Sequence, residues 1–168
     1  MKKSILNRLR DVFSEQTGKN MFGKLDKGIL KTLMMLAAVD GEIADVEISS
    51  FKELARKLRG YNGESFDAVW ETALHGAGYI LLQARFSDVD GLVAAFVKEA
   101  EADFVDEVSH GTSEERERAF NCLESMASAD GDYSEIERRC IEALAQRVKE
   151  VRDQVIAERY PRAVVFDK

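Results

Sequence analysis

"LMMLAAVDGEIADVE" spans Leu33 to Glu47, and "LESMASADGDYSEIE" spans Leu123 to Glu137. Each begins with apolar residues at helical spacing, reaches an Asp-Gly pair, and enters a second run with apolar residues three and four apart. The glycine can take the positive φ that ends a helix, so each stretch reads as helix, acidic turn, helix. The offset between them is 130 − 40 = 90 residues. At that offset Asp40 meets Asp130, Glu42 meets Asp132, Asp45 meets Glu135 and Glu47 meets Glu137. Packing positions keep the same register: Ala37 matches Ala127, Gly41 matches Gly131 and Leu54 matches Leu144. This is an internal repeat, and two copies of one helical hairpin tend to pack about a pseudo-twofold axis.

Working outward, Ile29, Leu30, Leu33, Leu36 and Ala37 form the inner face before the first turn, and Val46, Phe51, Leu54 and Leu58 the inner face of a helix over 45–59. Around the second turn the same parts fall to Phe120, Leu123, Met126 and Ala127, then to Ile136, Ile141, Leu144 and Val148. Two longer apolar-periodic stretches lie between, one with Phe66, Trp70, Leu74, Ala77 and Leu81, the other from Ser87 with Leu92, Phe96, Ala100 and Phe104. "TGKNMFGKLDKG" at 17–28 reads as a break, and Thr112 with Glu115 has capping-box spacing. The single proline, Pro161, stops the last helix. The expectation is an all-α, single helical domain of about seven helices with the helix–acidic turn–helix duplication inside it. Its divisions are a basic amphipathic N-terminal helix and linker over 1–20, the helical domain over 21–158, and a tail over 159–168.

The 168 residues suffice for one sizeable core, and a net charge of −7 disfavours nucleic acid, whose affinity comes largely from Lys and Arg on phosphates. No apolar run reaches the roughly 18 residues of a membrane span, and the start lacks a signal-peptide core, so an integral membrane protein is excluded and the cytoplasm is the default. The basic helix over 3–16, with Ile5 and Leu9 among Lys2, Lys3, Arg8 and Arg10, either touches a membrane surface or partner or lies on the domain itself. Cys122 and Cys140 read as buried thiols.

Four carboxylates within the eight residues Asp40 to Glu47 repel one another unless something positive sits nearby. Two chemistries fit. Glu137 stands three residues after Ser134, so it can cap a helix start, although Ala44 takes the serine's place in the first copy while Glu47 remains. Alternatively, hard cations such as Ca²⁺ or Mg²⁺ want several oxygen ligands and little else. An EF-hand is excluded because Leu36 and Ala38, or Met126 and Ser128, fall where its first oxygen ligands belong. "HGAGY" at 75–79 is better explained by close helix approach than by phosphate binding, and His75 and His110, the only histidines, sit outside the turns. No nucleophile–base pair is visible, so an enzyme is not expected.

A helix ending in Ala-x-x-Asp-Gly, with a glutamate seven residues after the aspartate, occurs as Ala37, Asp40-Gly41 and Glu47, and again as Ala127, Asp130-Gly131 and Glu137. In this the chain resembles the tellurite-resistance TerB family and its relatives, which include a domain fused to J-domain co-chaperones. The resemblance covers roughly residues 22–150 and implies a helical fold with an acidic, metal-associated centre. It makes Asp40, Glu47, Asp130 and Glu137 the metal-ligand candidates; the repeat itself adds Glu42 and Asp132. The functional expectation is a non-catalytic module that binds a divalent metal ion, Ca²⁺ or Mg²⁺, and engages a protein partner in a stress response. Its alternative is a metal-free interaction scaffold or co-chaperone-like adaptor, with the carboxylates capping helices and pairing with Arg138, Arg139 or Lys52.

Overall fold

The computed structural model describes residues 8, 24–40, 49, 64–128 and 134–159. Among the described residues every regular element is helical. They are α1 (Lys24–Ala38), α2 (Glu64–Phe86), α3 (Val89–Ala100), a π-helical turn (Glu101–Val105), α4 (Asp106–His110), α5 (Ser113–Ser128) and α6 (Glu135–Arg159). The helix expected over 45–59 lies outside the described residues except for Ser49, which is helical.

α1 is the centre of the packing. Its run Ile29, Leu30, Leu33 to Val39 is buried throughout, as expected for a helix apolar on all sides. α2, α5 and the π turn all pack on it. Ile29, Leu33, Leu36 and Ala37 of α1 and Ala119, Leu123, Met126 and Ala127 of α5 are all buried. Lys31 of this helix is buried; it donates to the Glu99 carbonyl at 3.1 Å and to the Asp103 carboxylate at 2.7 Å, and forms an ion pair with the Glu99 carboxylate at 3.2 Å. Thr32 is completely buried, and its hydroxyl finds no partner among the described residues. Thr32→Val keeps the shape and removes that stranded group, so it is expected to raise stability by about 1 kcal/mol in urea unfolding; a loss would show that the hydroxyl is satisfied.

The break expected over 17–28 ends earlier than the sequence suggested, because α1 begins at Lys24 and holds Gly28 inside it. Gly28 serves a close approach. A Cβ there would stand 2.0 Å from the Asp103 carbonyl oxygen and 3.3 Å from the Phe104 Cα, so only glycine lets the π turn lie on α1. Gly76, in "HGAGY", does the same at the α1–α2 crossing, where a Cβ would meet the Lys31 and Met35 side chains at 3.0–3.2 Å; Gly78 faces open space.

α3, the π turn and α4 form one continuous helical stretch from Val89 to His110. Asp88 caps its start by accepting from the Gly91 N–H at 2.7 Å. The stretch carries the expected Leu92, Phe96, Ala100 and Phe104, all buried. Its wide turn points Asp103 at Lys31 on α1 and Glu101 at Arg147 on α6, the latter at 2.6 Å. Thr112 and Glu115 form the expected reciprocal box at the head of α5, at 2.8 and 3.2 Å. Cys122 and Cys140 are buried and form no disulfide, and burial pushes the Cys140 thiol up to about 12, which keeps it unreactive.

Candidate functional site

Of the second acidic stretch, 129–137, the described residues are 134–137, at the head of α6; Ser134 and Glu137 turn toward each other there. Glu137 donates its backbone N–H to the Ser134 hydroxyl at 3.2 Å, and that hydroxyl donates to Glu137 Oε1 at 3.0 Å. The serine is thus a working cap. The glutamate side chain, expected to reach back to the free N–H groups of the helix start, instead takes the hydroxyl with one oxygen and turns the other inward. Glu137 is entirely buried.

What meets that inward oxygen is Arg8. Its Nη2 donates to Glu137 Oε2 at 2.6 Å and its Nε donates to the Met126 carbonyl at 3.0 Å. Met126 lies in the last turn of α5, where carbonyls have no partner within the helix and the helix dipole is negative. A guanidinium fork satisfies the carboxylate and the stranded carbonyl together, which a single ammonium does less well. Arg8 is only 3% exposed, so this cation is locked into the body of the protein.

Asp40, the half-buried aspartate of the first turn, acts on the same carboxylate by repulsion. Asp40 and Glu137, 137 − 40 = 97 residues apart in sequence, therefore stand within electrostatic reach of each other. Burial, the dominant cause, and Asp40 push Glu137 up to about 7 against the pull of Arg8 and Ser134. Because the folded-state value lies above the ordinary 4.5, the folded protein holds this proton more tightly than the unfolded chain does. The resulting stability is complete below about pH 4.5 and is lost as pH rises through about 7. The stability of the wild type relative to Glu137→Gln is thus expected to fall on the order of 3 kcal/mol over that window, at about 1.4 kcal/mol per pH unit. A difference that stays flat in denaturant titrations from pH 4 to 8 would contradict it.

Of the six ligand candidates, Asp40 and Glu137 are brought into electrostatic reach of each other; Glu42, Glu47, Asp130 and Asp132 lie outside the described residues. Among the described residues no three His, Cys, Asp or Glu side chains stand together as a metal-ligand set. Glu137 itself does not fit a metal while Arg8 holds it, since Arg8 and Ser134 engage both of its oxygens. Of the bases expected beside the turns, Arg138 pairs with Glu135, a carboxylate of the second acidic stretch, and with Glu142 one turn further along α6, while Arg139 pairs with Asp90 on α3. Lys52 lies outside the described residues. His75 is exposed, and His110 ends α4 with its Nδ1 2.8 Å from the Asp106 carbonyl. Sequence reasoning required a positive group near the turns and did not find Arg8, because nothing local marks one arginine of a basic helix as the buried one.

No known protein family, no curated protein and no solved structure matches this chain. The likeness to the TerB family stands on the two turn motifs alone. Among the described residues no helix is long and apolar enough to cross a membrane.

Proposed function

We propose that this chain is a non-catalytic helical interaction module, an adaptor whose duplicated acidic centre is closed by its own arginine. The carrying observation is the buried Arg8–Glu137 pair at 2.6 Å, which supplies the positive charge that the second turn needs. A surface groove supports the same reading. Lying between α3 and α6, it has a volume of about 580 Å³, small apolar residues such as Val93, Val97 and Ala143, and ion pairs as its polar groups, with neither histidine nor thiol among its described lining residues. Surfaces of this kind suit contact with another macromolecule better than bond-breaking chemistry.

One observation favours a second reading. The charge of Asp40 acts on Glu137, so one carboxylate from each acidic stretch lies within electrostatic reach of the other, and a divalent cation would relieve that repulsion. In that reading Ca²⁺ or Mg²⁺ is held by Asp40 with Glu42, Glu47, Asp130 and Asp132, and the stress-linked role implied by the TerB resemblance comes with it. Thermal unfolding in EDTA, then with Ca²⁺, Mg²⁺, Mn²⁺ and Zn²⁺ added singly near millimolar concentration, separates the two, because a ligand that prefers the folded state raises its stability. The adaptor reading expects an unmoved midpoint for every ion. A selective rise, abolished in Asp40→Asn/Asp130→Asn, would replace it with the metal-binding one.

A further inference from the structure

We propose that the solvent face of α2 is a self-association surface, on which a second copy of this chain lays its own α2 antiparallel across Gly78. The face is separate from the acidic centre and from the groove between α3 and α6, so it adds to the adaptor reading and does not rest on it.

The spacing of the exposed residues marks the face. Glu71, His75, Gly78, Leu82 and Arg85 follow one another at intervals of four, three, four and three residues, and all five are exposed. Residues so spaced line up along one side of a helix, as in the seam by which one helix meets another. Leu82 is 52% exposed, and Phe86, one turn further, is 80% exposed, so two bulky apolar side chains stand in water side by side. Gly78 has no task inside the chain. Gly76 makes room for Lys31 and Met35, whereas nothing lies within 4 Å of a Cβ at Gly78. Glycine at an exposed helical position weakens the helix relative to alanine, and it leaves bare backbone on which a second helix can lie close.

The charges select the occupant. Glu71 lies seven residues before Gly78 and Arg85 seven after, two turns or about 10 Å to either side. Neither makes an ion pair or hydrogen bond with a described residue. A twofold axis through Gly78, with the two helices antiparallel, sets each Arg85 opposite the partner's Glu71, so the same face satisfies itself at both ends. Parallel helices would set like charges together. The same symmetry lays Leu82 and Phe86 of each chain over the half of the other helix that precedes its glycine, which covers both apolar side chains. Contact along about four turns is at the small end of specific interfaces, so the dimer is expected to dissociate in the micromolar range.

The test is sedimentation velocity of the full chain from roughly 5 to 500 µM in about 0.15 M salt, which brackets a micromolar dissociation constant and screens the repulsion between two chains of net charge −7. The mass is expected to rise from that of one chain toward that of two. Arg85→Glu sets two glutamates against each other at both ends and is expected to weaken association about tenfold. Glu71→Arg is expected to do the same, and the exchanged chain Glu71→Arg/Arg85→Glu to associate as the wild type does, because the opposition of charge is restored. Gly78→Gln holds the helices apart without touching either charge and is expected to abolish the dimer. Helical circular dichroism is expected to persist in every variant, since the substituted positions are exposed. A wild type that stays monomeric throughout overturns the proposal and leaves the face to a different protein. So does a dimer that survives both Arg85→Glu and Gly78→Gln, which would place the contact elsewhere, or an exchanged chain that fails to recover.

Discussion

Gly28→Ala is expected to cost about 4 kcal/mol or more, enough to unfold a domain of ordinary stability near physiological temperature. The added methyl would stand 2.0 Å from the carbonyl oxygen of Asp103 and 2.7 Å from its carbonyl carbon. Both atoms are backbone, so no side-chain rotation relieves the clash; α1 and the π turn must separate. Separation would also pull Lys31 from Asp103 and Glu99 and loosen Phe104, whose ring meets Phe120 of α5 edge-on at 5.6 Å. Gly78→Ala is the control. Nothing lies within 4 Å of a Cβ there, and alanine in an exposed helix position is expected to stabilise by up to about 1 kcal/mol. Equal midpoints for the two variants in urea would show that the close approach at Gly28 is not made in solution.

The second large effect is that of Arg8→Ala, expected to cost about 3 kcal/mol at pH 8, because removing one partner of a buried pair strands the other charge. The Met126 carbonyl also loses its donor. The penalty is expected to shrink as pH falls, since Glu137 then takes up a proton and no longer needs a counter-ion. Arg8→Lys should recover part of the loss, as an ammonium can face the carboxylate but not serve both acceptors along the guanidinium edge. A loss independent of pH would assign the effect to packing of the arginine stem and not to its charge.

The core was legible because periodicity reports burial directly. The apolar positions assigned to α1, α3, α5 and α6 are buried except for Phe120 and Ile136, which pack half-buried against the core, and the unbroken apolar character of Leu33 to Val39 already marks a helix enclosed on every side. The Thr112–Glu115 box and the Ser134 cap followed from local spacing alone, since their partners are three residues apart, whereas the Glu137 side chain did not make the expected return bond. Three features were not legible, each for a physical reason. The π turn departs from the usual i to i+4 bonding, and the groups that meet it, Lys31, Arg147 and Gly28, come from other helices. Gly28 read as a break because a glycine that admits a neighbour looks, in one sequence, like a glycine that ends a helix. Arg8 was invisible as the counter-charge because its partner is 129 residues away. Of the site, the sequence made the acidic turns conspicuous and gave Glu137 its place at a helix start; the cation it meets is a tertiary fact.

The Arg8 contact also moves the domain boundary. By composition the helical domain starts near residue 21, and everything before it is an appendage. Energetically the unit reaches back at least to residue 8, because the neutrality of its interior is completed there. A chain trimmed to begin at residue 21 would inherit a carboxylate with no counter-charge inside an otherwise intact set of helices. Its poor solubility or early melting would then report a missing ion, not a sequence unable to fold.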